Sequence, residues 1–310
     1  MPANRLIKRG ALQLTDRVAF ITGGVTGLGL GLARACVSAG MKVLITYVRD
    51  THVDNALSQF TGNSDRITAL RLDVTDRDAV KEAADRAERT FGSIHLLFNN
   101  AGVSLFGPVD EATAEDWQWI MGVNVGGVVN TLLEFLPRIK AHREGGHIVN
   151  VASMSAMVPG PEGGVYTASK FAVWGMSECL RYTLAPYNIG VSVFFPGLIQ
   201  SNIYESHLNR PGALKRSAGK NDLRFLEEWK AMQTLGMPPS RAAEFVLRGV
   251  ENNDFYIFSH PDMKSDVEAR FAKILQAFPN DPVDPKRLPL LNARRRWIEL
   301  LDQLINGRDR

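Results

Sequence analysis

The chain has 310 residues, of which 45% are hydrophobic and 22% are charged, so it is long enough to bury a large core. Its 36 basic and 33 acidic residues give a net charge of +3, which is too even to predict a nucleic-acid-binding or membrane-surface protein. The length allows either two domains or one α/β domain with additions at its ends.

Cysteine use and the N-terminal segment bear on the cellular compartment. Cys36 and Cys179 stand far apart and outside any metal-binding pattern, and the basic N-terminus lacks the apolar stretch of a signal peptide. No continuous apolar run approaches the roughly 18 residues that would span a bilayer. We therefore expect a soluble protein of the reducing cytoplasm, with no membrane segment and no bound metal.

From residue 16 onward, short apolar segments alternate with longer segments of helical periodicity, which is typical of βαβ units around a parallel sheet. The predicted strands are Val18–Thr22, Val43–Thr46, Thr68–Leu72, Leu96–Asn99, His147–Val151, Val191–Phe195 and Phe255–Phe258. The predicted helices lie near residues 28–39, 53–60, 76–91, 115–142, 166–186 and 239–252. The pattern predicts one doubly wound, Rossmann-like α/β domain over residues 16–260, with about seven strands and helices on both faces.

Three segments fall outside this alternation. Residues 1–15 are predicted to form an N-terminal arm, and residues 261–310 a C-terminal helical extension that packs on the body or on a neighbouring subunit. Arg294–Arg296 in that extension are predicted to be a solvated helix face. Residues 201–239 follow the sixth strand, where open α/β sheets bind ligands, and are predicted to form a mobile substrate lid; a purely structural excursion is the alternative.

The first predicted strand runs into a glycine-rich turn that opens an apolar helix. Glycines let the chain turn tightly and let a pyrophosphate approach the amides at a helix N-terminus. The spacing is Gly-x-x-x-Gly-x-Gly, and the alternative is a tight strand-to-helix connection with no ligand. The candidate cofactor-binding residues at this turn are Gly23, Thr26, Gly27, Leu28 and Gly29.

Further motifs follow in order along the chain. They are Asp73-Val74 after the third strand, Asn100-Ala101-Gly102 after the fourth, Asn124 in a helix, Tyr166-x-x-x-Lys170, Pro196-Gly197 after the sixth strand, and Ser201. Each has a structural alternative, as a helix cap, a turn or a loop. Together with the glycine turn, their order and separations over about residues 15–260 resemble the short-chain dehydrogenase/reductase family of the Tyr-x-x-x-Lys type.

The resemblance implies hydride transfer between a nicotinamide cofactor and a substrate carbon. It implies cofactor contacts from the glycine turn and from Asp73, Val74, Asn100, Ala101, Gly102, Tyr166, Lys170, Pro196, Gly197 and Ser201. The catalytic set that it implies is Asn124, Ser153, Tyr166 and Lys170. An epimerase or dehydratase on the same fold, or a non-catalytic cofactor-binding regulator, remains the alternative.

Cofactor choice depends on the end of the second strand, where a carboxylate favours NAD and an arginine favours the 2′-phosphate of NADP. Tyr47 stands at the position of that acid, and Arg49 is near enough to attract a phosphate. Two features favour NAD instead. Thr26 stands where many NADP-dependent relatives have a basic residue, and Asp50 could turn its carboxylate towards the ribose. The prediction is NADP(H), with NAD(H) possible.

Tyr166 and Lys170 are four residues apart and therefore share one helical face. A tyrosine pKa near 10 is too high for a good base at neutral pH, and a neighbouring cation together with oxidised nicotinamide would lower it. In the family pattern Ser153 orients the reacting oxygen, while Ser155 is either a second contact or a loop serine. Asn124 either anchors a water and positions Lys170, or bonds helix backbone as a buried asparagine.

The residues expected to rim the substrate crevice are Ser104, Leu105, Phe106 and the ranges 154–161 and 198–208, which are mostly apolar. They predict a bulky apolar alcohol or ketone, although ordinary loop-anchoring hydrophobes are the alternative. A looser similarity links the chain to a bacterial branch with aryl-ether Cα-dehydrogenases and terpenoid alcohol oxidoreductases, most of which carry the acid that Tyr47 replaces. The family also implies a homodimer or homotetramer.

Overall fold

The computed structural model describes residues 12–214 and 222–306. Its strands are β1 (Val18–Ile21), β2 (Lys42–Tyr47), β3 (Ile67–Arg71), β4 (Leu96–Asn99), β5 (Gly146–Val151), β6 (Ile189–Phe195) and β7 (Tyr256–Phe258). They form one seven-stranded parallel sheet in the order β3-β2-β1-β4-β5-β6-β7. The order reverses between β1 and β4, where such sheets form a ligand crevice, and the predicted doubly wound fold is confirmed.

Helices cover both faces of the sheet. They are α1 (Gly27–Ser38), α2 (Val53–Leu57), α3 (Arg77–Phe91), α4 (Ala114–Met121), α5 (Gly127–His142), α6 (Met154–Met157), α7 (Gly164–Leu184), α8 (Asp222–Gln233), α9 (Pro239–Asn252), α10 (Lys264–Gln276) and α11 (Leu288–Asn306). Of these, α6 and α8 were not expected as helices from the sequence.

The central strands are buried on both faces, which explains why their sequences are continuously apolar rather than alternating. Successive residues of a strand still point to opposite sides. Ile21 belongs to the cluster that includes α1 and α9, while Phe20 packs in the other cluster, with its ring 4.4 Å from that of Phe135 on α5. The sheet therefore has two separate hydrophobic cores.

The predicted helix 115–142 contains a π-helical turn, Gly122–Gly126, between α4 and α5. By length and composition, this continuous stretch could cross a membrane, since one window of 18 residues has a mean hydropathy of 1.3. The expectation of no membrane segment rested only on uninterrupted apolar runs, so it did not take this stretch into account. The apolar side of the stretch, with Val128, Leu132 and Phe135, is buried in the core. A core helix of an α/β domain has the same composition.

The two chain ends differ in how they pack. Leu12 and Leu14, from the predicted N-terminal arm, are buried in the core, and residues 1–11 of that arm lie outside the described residues. In the extension, α11 contacts α7, and Arg294–Arg296 are exposed. Large apolar side chains are also exposed there: Phe271, Leu275, Phe278, Leu290, Trp297 and Leu300. The extension therefore presents apolar surface to solvent in a single copy of the chain.

The segment predicted as a substrate lid, residues 201–239, contains two 3₁₀ segments, Ile203–Asn209 and Gly212–Leu214, followed by α8. Residues 215–221 lie outside the described part. The lid leads directly into α9, which packs closely on α1: a Cβ added to Gly31 would lie 2.6 Å from the Pro239 carbonyl oxygen. Only glycine fits at that crossing.

Candidate active site

A cavity of about 920 Å³ opens at the carboxyl ends of the strands, beside the segment 201–239 that was predicted as a lid and is called the lid below. Every residue predicted to bind a cofactor lines it: Gly23, Thr26, Gly27, Leu28, Gly29, Tyr47, Arg49, Asp73, Val74, Asn100, Ala101, Gly102, Tyr166, Lys170, Pro196, Gly197 and Ser201. Ser153 lines it as well. The structure therefore brings residues from six strand ends and the lid to one site.

The glycine turn has a backbone that other residues could not adopt easily. Gly23 and Gly27 have φ angles of +64° and +49°. A Cβ on Gly29 would lie 2.1 Å from the Gly23 carbonyl oxygen, and one on Gly27 would lie 2.7 Å from the Cβ of Ser201. The turn is therefore in close contact with the start of α1 and with Ser201, the first residue of the lid.

The N-terminus of α1 suits an anion. The side chain of its N-cap residue, Thr26, makes no capping hydrogen bond, and no acidic residue stands in the first turn. The first amide N–H groups of a helix have no partner within the helix, and the helix dipole adds positive potential there. These donors and the glycine backbone fit the pyrophosphate of a dinucleotide.

Thr22 and Asn100 hold the glycine turn in place. The Thr22 hydroxyl oxygen accepts hydrogen bonds from the backbone N–H groups of Asn100 and Ala101, both at 2.9 Å. The Asn100 side-chain amide donates to the carbonyl oxygens of Thr22 and Gly23, both at 2.9 Å. The sequence singled out Asn100 but not Thr22, whose contacts join segments far apart in the chain.

Two other predicted cofactor contacts are also fixed by hydrogen bonds, one local and one between distant segments. Oδ1 of Asp73 accepts from the backbone N–H and the hydroxyl of Thr75, at 2.9 and 2.8 Å. The N–H of Gly197 donates to Nδ1 of His260 at 3.1 Å, and a Cβ at Gly197 would lie 2.7 Å from that ring. His260, after β7, was not identified from the sequence.

Tyr166 and Ser153 both line the cavity. Ser153 is the N-cap of α6, where its Oγ accepts from the backbone N–H of Ser155 at 3.1 Å. Burial raises the pKa of Tyr166, and a hydrogen bond with Ser153 opposes this rise. Oγ of Ser155 is buried and has no hydrogen-bond partner among the described residues, although Ser155 lines the cavity.

Lys170 is buried one helical turn after Tyr166 on α7. Its Nζ donates to the Val151 carbonyl oxygen at 2.9 Å and lies 5.5 Å from the centroid of the Tyr166 ring. Burial lowers the pKa of Lys170 to about 8. The ammonium is therefore oriented by backbone at the end of β5, next to the phenol.

Asn124 lies in the π-helical turn and, unlike the other predicted catalytic residues, does not line the cavity. Its Oδ1 accepts from the Val103 N–H at 2.9 Å, and its Nδ2 donates to the Val103 carbonyl oxygen and to Oγ of Ser169, at 2.9 and 3.0 Å. Asn124 is therefore buried and bonded, but its backbone partner Val103 lies in the loop after β4, so the alternative of bonding helix backbone is not observed in the part of the chain that the structure describes. The predicted role in positioning Lys170 stays a prediction.

The residues at the end of β2, which were predicted to contact the adenosine ribose, take part in an ion pair that the sequence did not predict. Tyr47 and Arg49 line the cavity as expected. Nη2 of Arg49, however, lies 2.8 Å from Oε2 of Glu205 in the lid. Sequence spacing gives no signal for such a long-range pair.

The substrate end of the cavity is mostly apolar. Phe106 and Trp229 line it and are in edge-to-face contact, with ring centroids 4.2 Å apart. Leu105 instead packs against a buried cluster. Several other expected rim residues do not line the cavity either: Ala156, Met157, Pro159, Gln200, Tyr204, Glu205, His207 and Leu208. Lining residues that the sequence did not identify include Gln118, Trp119, Trp229 and Met263, because α4, α8 and the extension reach the site only in the folded chain.

A separate polar cluster lies at the amino end of β4. His95, His142 and Glu144 bring possible metal-ligand atoms within 4.8 Å of one another. Nη1 of Arg17 lies 2.7 Å from Nε2 of His95 and also bonds Glu144. Because the arginine already supplies the positive charge, we interpret this cluster as an ion-paired corner of the sheet.

Comparisons with known proteins agree with this geometry. A family model described as short chain dehydrogenase matches residues 17–211. A C alpha-dehydrogenase of Sphingobium sp. strain SYK-6 is 36% identical over 296 residues, covering 95% of this chain and 94% of that protein. A CLA biosynthesis dehydrogenase/reductase of Lactiplantibacillus plantarum is 31% identical over 267 residues, covering 84% of this chain and 93% of that protein.

Two solved structures show the same architecture. A short chain dehydrogenase/reductase from Burkholderia phymatum, in complex with NAD, has a TM-score of 0.81 and 32% identity, and covers 88% of this chain and 99% of its own. The apo form of LigO from Sphingobium sp. strain SYK-6 has a TM-score of 0.74 and 35% identity, and covers 92% of this chain and 97% of its own. The chain belongs to the short-chain dehydrogenase family of oxidoreductases.

Proposed function

We propose that this protein is an NAD(P)-dependent alcohol dehydrogenase or ketone reductase acting on a secondary alcohol or ketone with a bulky apolar or aromatic skeleton. The observation that carries the proposal is that the glycine turn and the group Ser153, Tyr166 and Lys170 line the same cavity. The glycine turn would hold a nicotinamide dinucleotide, which would supply the hydride chemistry. The protein supplies alignment and charge.

Tyr166 exchanges the hydroxyl proton with the substrate oxygen. Because burial raises its pKa, the tyrosine is protonated at neutral pH and is ready to donate to a ketone. Oxidation of an alcohol needs the phenolate, which the nearby Lys170 ammonium favours. Ser153, which lines the same cavity as Tyr166, holds the substrate oxygen while charge develops on it.

The substrate class follows from the lining of the cavity beyond the tyrosine. Phe106, Trp119, Met154, Trp229 and Met263 give that end a wide apolar surface. Such a surface favours a ring system or another bulky hydrocarbon over a sugar or a small acid. The Sphingobium relative that is 36% identical is named a C alpha-dehydrogenase, which supports chemistry at a secondary carbon.

We further propose that NADP(H) is preferred and that NAD(H) is also used. Tyr47 offers no carboxylate to repel a 2′-phosphate, and Arg49 lines the cavity beside it. The structural relative from Burkholderia phymatum holds NAD, which supports use of the second cofactor.

A homodimer or homotetramer is proposed as the assembly, because α10 and α11 expose large apolar side chains such as Phe278 and Trp297. Cys36 and Cys179 are both free, in keeping with the proposed reducing cytoplasmic location.

The test is a panel of bulky secondary alcohols and their ketones, screened with both cofactors by nicotinamide absorbance. Tyr166→Phe should bind cofactor with near-native affinity in a fluorescence titration, yet lose at least about 99% of turnover. Tyr187→Phe, which changes an exposed tyrosine just after α7, is the matched control. Normal turnover by Tyr166→Phe would contradict the assignment, and substrate conversion without a net change in absorbance would contradict a dehydrogenase.

A further inference from the structure

Glu205 of the lid is bound by residues at the adenosine end of the cavity. Its Oε2 lies 2.8 Å from Nη2 of Arg49 and 3.7 Å from Nε2 of His52. Its Oε1 accepts from Nδ2 of Asn202 at 3.3 Å. The side chains of Arg49 and Glu205 are 29% and 23% exposed, so water screens this pair only partly.

The position of this group relates it to the cofactor. Tyr47, Arg49 and His52 line the cavity at the end of β2, where this fold places the adenosine ribose. Tyr47 carries no carboxylate. The carboxylate that contacts Arg49 instead comes from the lid, 156 positions further along the chain.

Arg49 presents one planar guanidinium to two possible anionic partners. A carboxylate and a phosphate both bind that fork through paired N–H groups, so one partner excludes or weakens the other. Burial raises the pKa of Glu205, but hydrogen bonds from Arg49 and Asn202 outweigh this and hold the pKa below its usual range. Glu205 is therefore charged at neutral pH and would repel an incoming phosphate.

We propose that Glu205 is a specificity-determining residue that competes with the 2′-phosphate of NADP for Arg49 and so limits the preference for NADP over NAD. The ribose hydroxyl of NAD leaves the pair of Arg49 and Glu205 intact. The phosphate of NADP displaces Glu205 from the arginine. This inference rests on the proposed use of nicotinamide cofactors.

Displacement of Glu205 also affects the substrate side. Glu205 lies in the 3₁₀ segment Ile203–Asn209, and its neighbour Ser206 accepts a hydrogen bond from the Ser104 N–H at 3.0 Å. Ile203, Ser206 and Ser104 line the cavity. With NADP bound, the segment Ile203–Asn209 loses the ion pair of Glu205 with Arg49. We therefore expect proteases to cleave this segment faster than with NAD bound.

The experiment measures dissociation constants of NAD⁺ and NADP⁺ by fluorescence titration for the wild type and for Glu205→Gln. We expect Glu205→Gln to tighten NADP⁺ binding about fivefold or more and to change NAD⁺ binding less than about twofold. Glu244→Gln is the matched control, because it removes a carboxylate paired with Arg241 on the exposed side of α9. It should leave the ratio of the two constants unchanged.

Arg49→Met provides a second variant. It should weaken NADP⁺ binding about tenfold, and adding Glu205→Gln to it should change the ratio less than Glu205→Gln changes it in the wild type, because the shared partner is gone. Cleavage of the wild type within Ile203–Asn209 by limited proteolysis should be faster at saturating NADP⁺ than at saturating NAD⁺, and equal with both cofactors in Glu205→Gln.

Two outcomes would overturn the inference, and they are distinguishable. If both cofactors bind but Glu205→Gln leaves their ratio at the wild-type value, the competition is wrong while the proposed function stands. If neither cofactor binds the wild type, the proposed function is wrong and the inference falls with it.

Discussion

The ammonium of Lys170 lies 5.5 Å from the centroid of the Tyr166 ring, one helical turn along α7. Burial shifts the two groups in opposite directions, since it raises the pKa of Tyr166 and lowers the pKa of Lys170 to about 8. Each shift favours the uncharged form of its group. The charge state of the pair therefore depends on pH and on what else is bound beside it.

The two reaction directions should have opposite pH profiles. We expect kcat/KM for alcohol oxidation to rise with pH, because it needs the Tyr166 phenolate, and kcat/KM for ketone reduction to fall, because it needs the phenol. Lys170→Met should move the midpoint of the oxidation profile upward by about one pH unit or more. Lys140→Met is the control, since its Nζ lies 4.3 Å from the centroid of the Tyr187 ring, away from the cavity. Unchanged midpoints in Lys170→Met would contradict the role of the ammonium.

Burial of Lys170 should also appear in the stability of the cofactor-free protein. Its pKa is about 8 in the folded protein against an ordinary value of 10.5, so between these pH values the unfolded state binds more protons. The free energy of unfolding of the wild type, relative to Lys170→Met, should therefore rise with pH across that window, by roughly 3 kcal/mol at 1.36 kcal/mol for each pKa unit. Urea unfolding at pH 7, 8.5 and 10 measures this difference. A difference that falls with pH would contradict a buried, destabilised ammonium.

Thr22→Val should weaken cofactor binding through the glycine turn. The substitution removes the acceptor for the N–H groups of Asn100 and Ala101, so the protein should lose about 1–3 kcal/mol of stability. The dissociation constant of the cofactor should rise, because the turn is no longer held against the end of β4. Thr183→Val, at an exposed position of α7, is the control for unfolding and titration. Equal effects of Thr22→Val and Thr183→Val would contradict the role of Thr22 in holding the glycine turn.

The ion pair between Arg210 and Asp116 anchors the lid. Nη1 of Arg210 lies 2.7 Å from Oδ1 of Asp116, and both side chains are buried, at 7% and 0% exposure. Arg210→Met leaves the carboxylate without this partner, so we expect a loss of about 3–5 kcal/mol in the free energy of unfolding. The KM for substrate should also rise, because Trp119, under the arginine, lines the cavity.

An exposed pair offers the comparison for this lid anchor. Lys81→Met breaks the ion pair with Asp85 on α3, where the side chains are 59% and 32% exposed. It should cost less than about 1 kcal/mol. If Arg210→Met and Lys81→Met lower the free energy of unfolding equally, burial does not explain the contribution of the pair of Arg210 and Asp116.

The sheet could be predicted well because each of its strands is a short buried apolar segment. All seven predicted strands are present, and their bounds differ from the observed ones by at most two residues. The helix α8 could not be predicted in the same way, because it lies in the lid, outside the regular alternation of strands and helices. The π-helical turn at Gly122–Gly126 was missed because the apolar periodicity continues through it.

The candidate site could be predicted where its residues belong to local motifs, as at the glycine turn and at Tyr166 with Lys170. Residues that act through distant contacts gave no signal of their own. Thr22 bonds to the segment after β4, and Trp229 reaches the cavity from α8. Glu205, in the lid, pairs with Arg49 after β2. Their importance depends on the tertiary fold, which spacing along the chain does not reveal.

The close crossing of Gly31 and Pro239 places a limit on how the site can evolve. Pro239 begins α9 directly after the lid, and Gly31 lies in the helix whose N-terminus faces the cofactor side of the cavity. A methyl group at residue 31 would have to push the end of the lid away from that helix. Lids exchanged between relatives to change the substrate should therefore fit only when the residues at both positions are exchanged together.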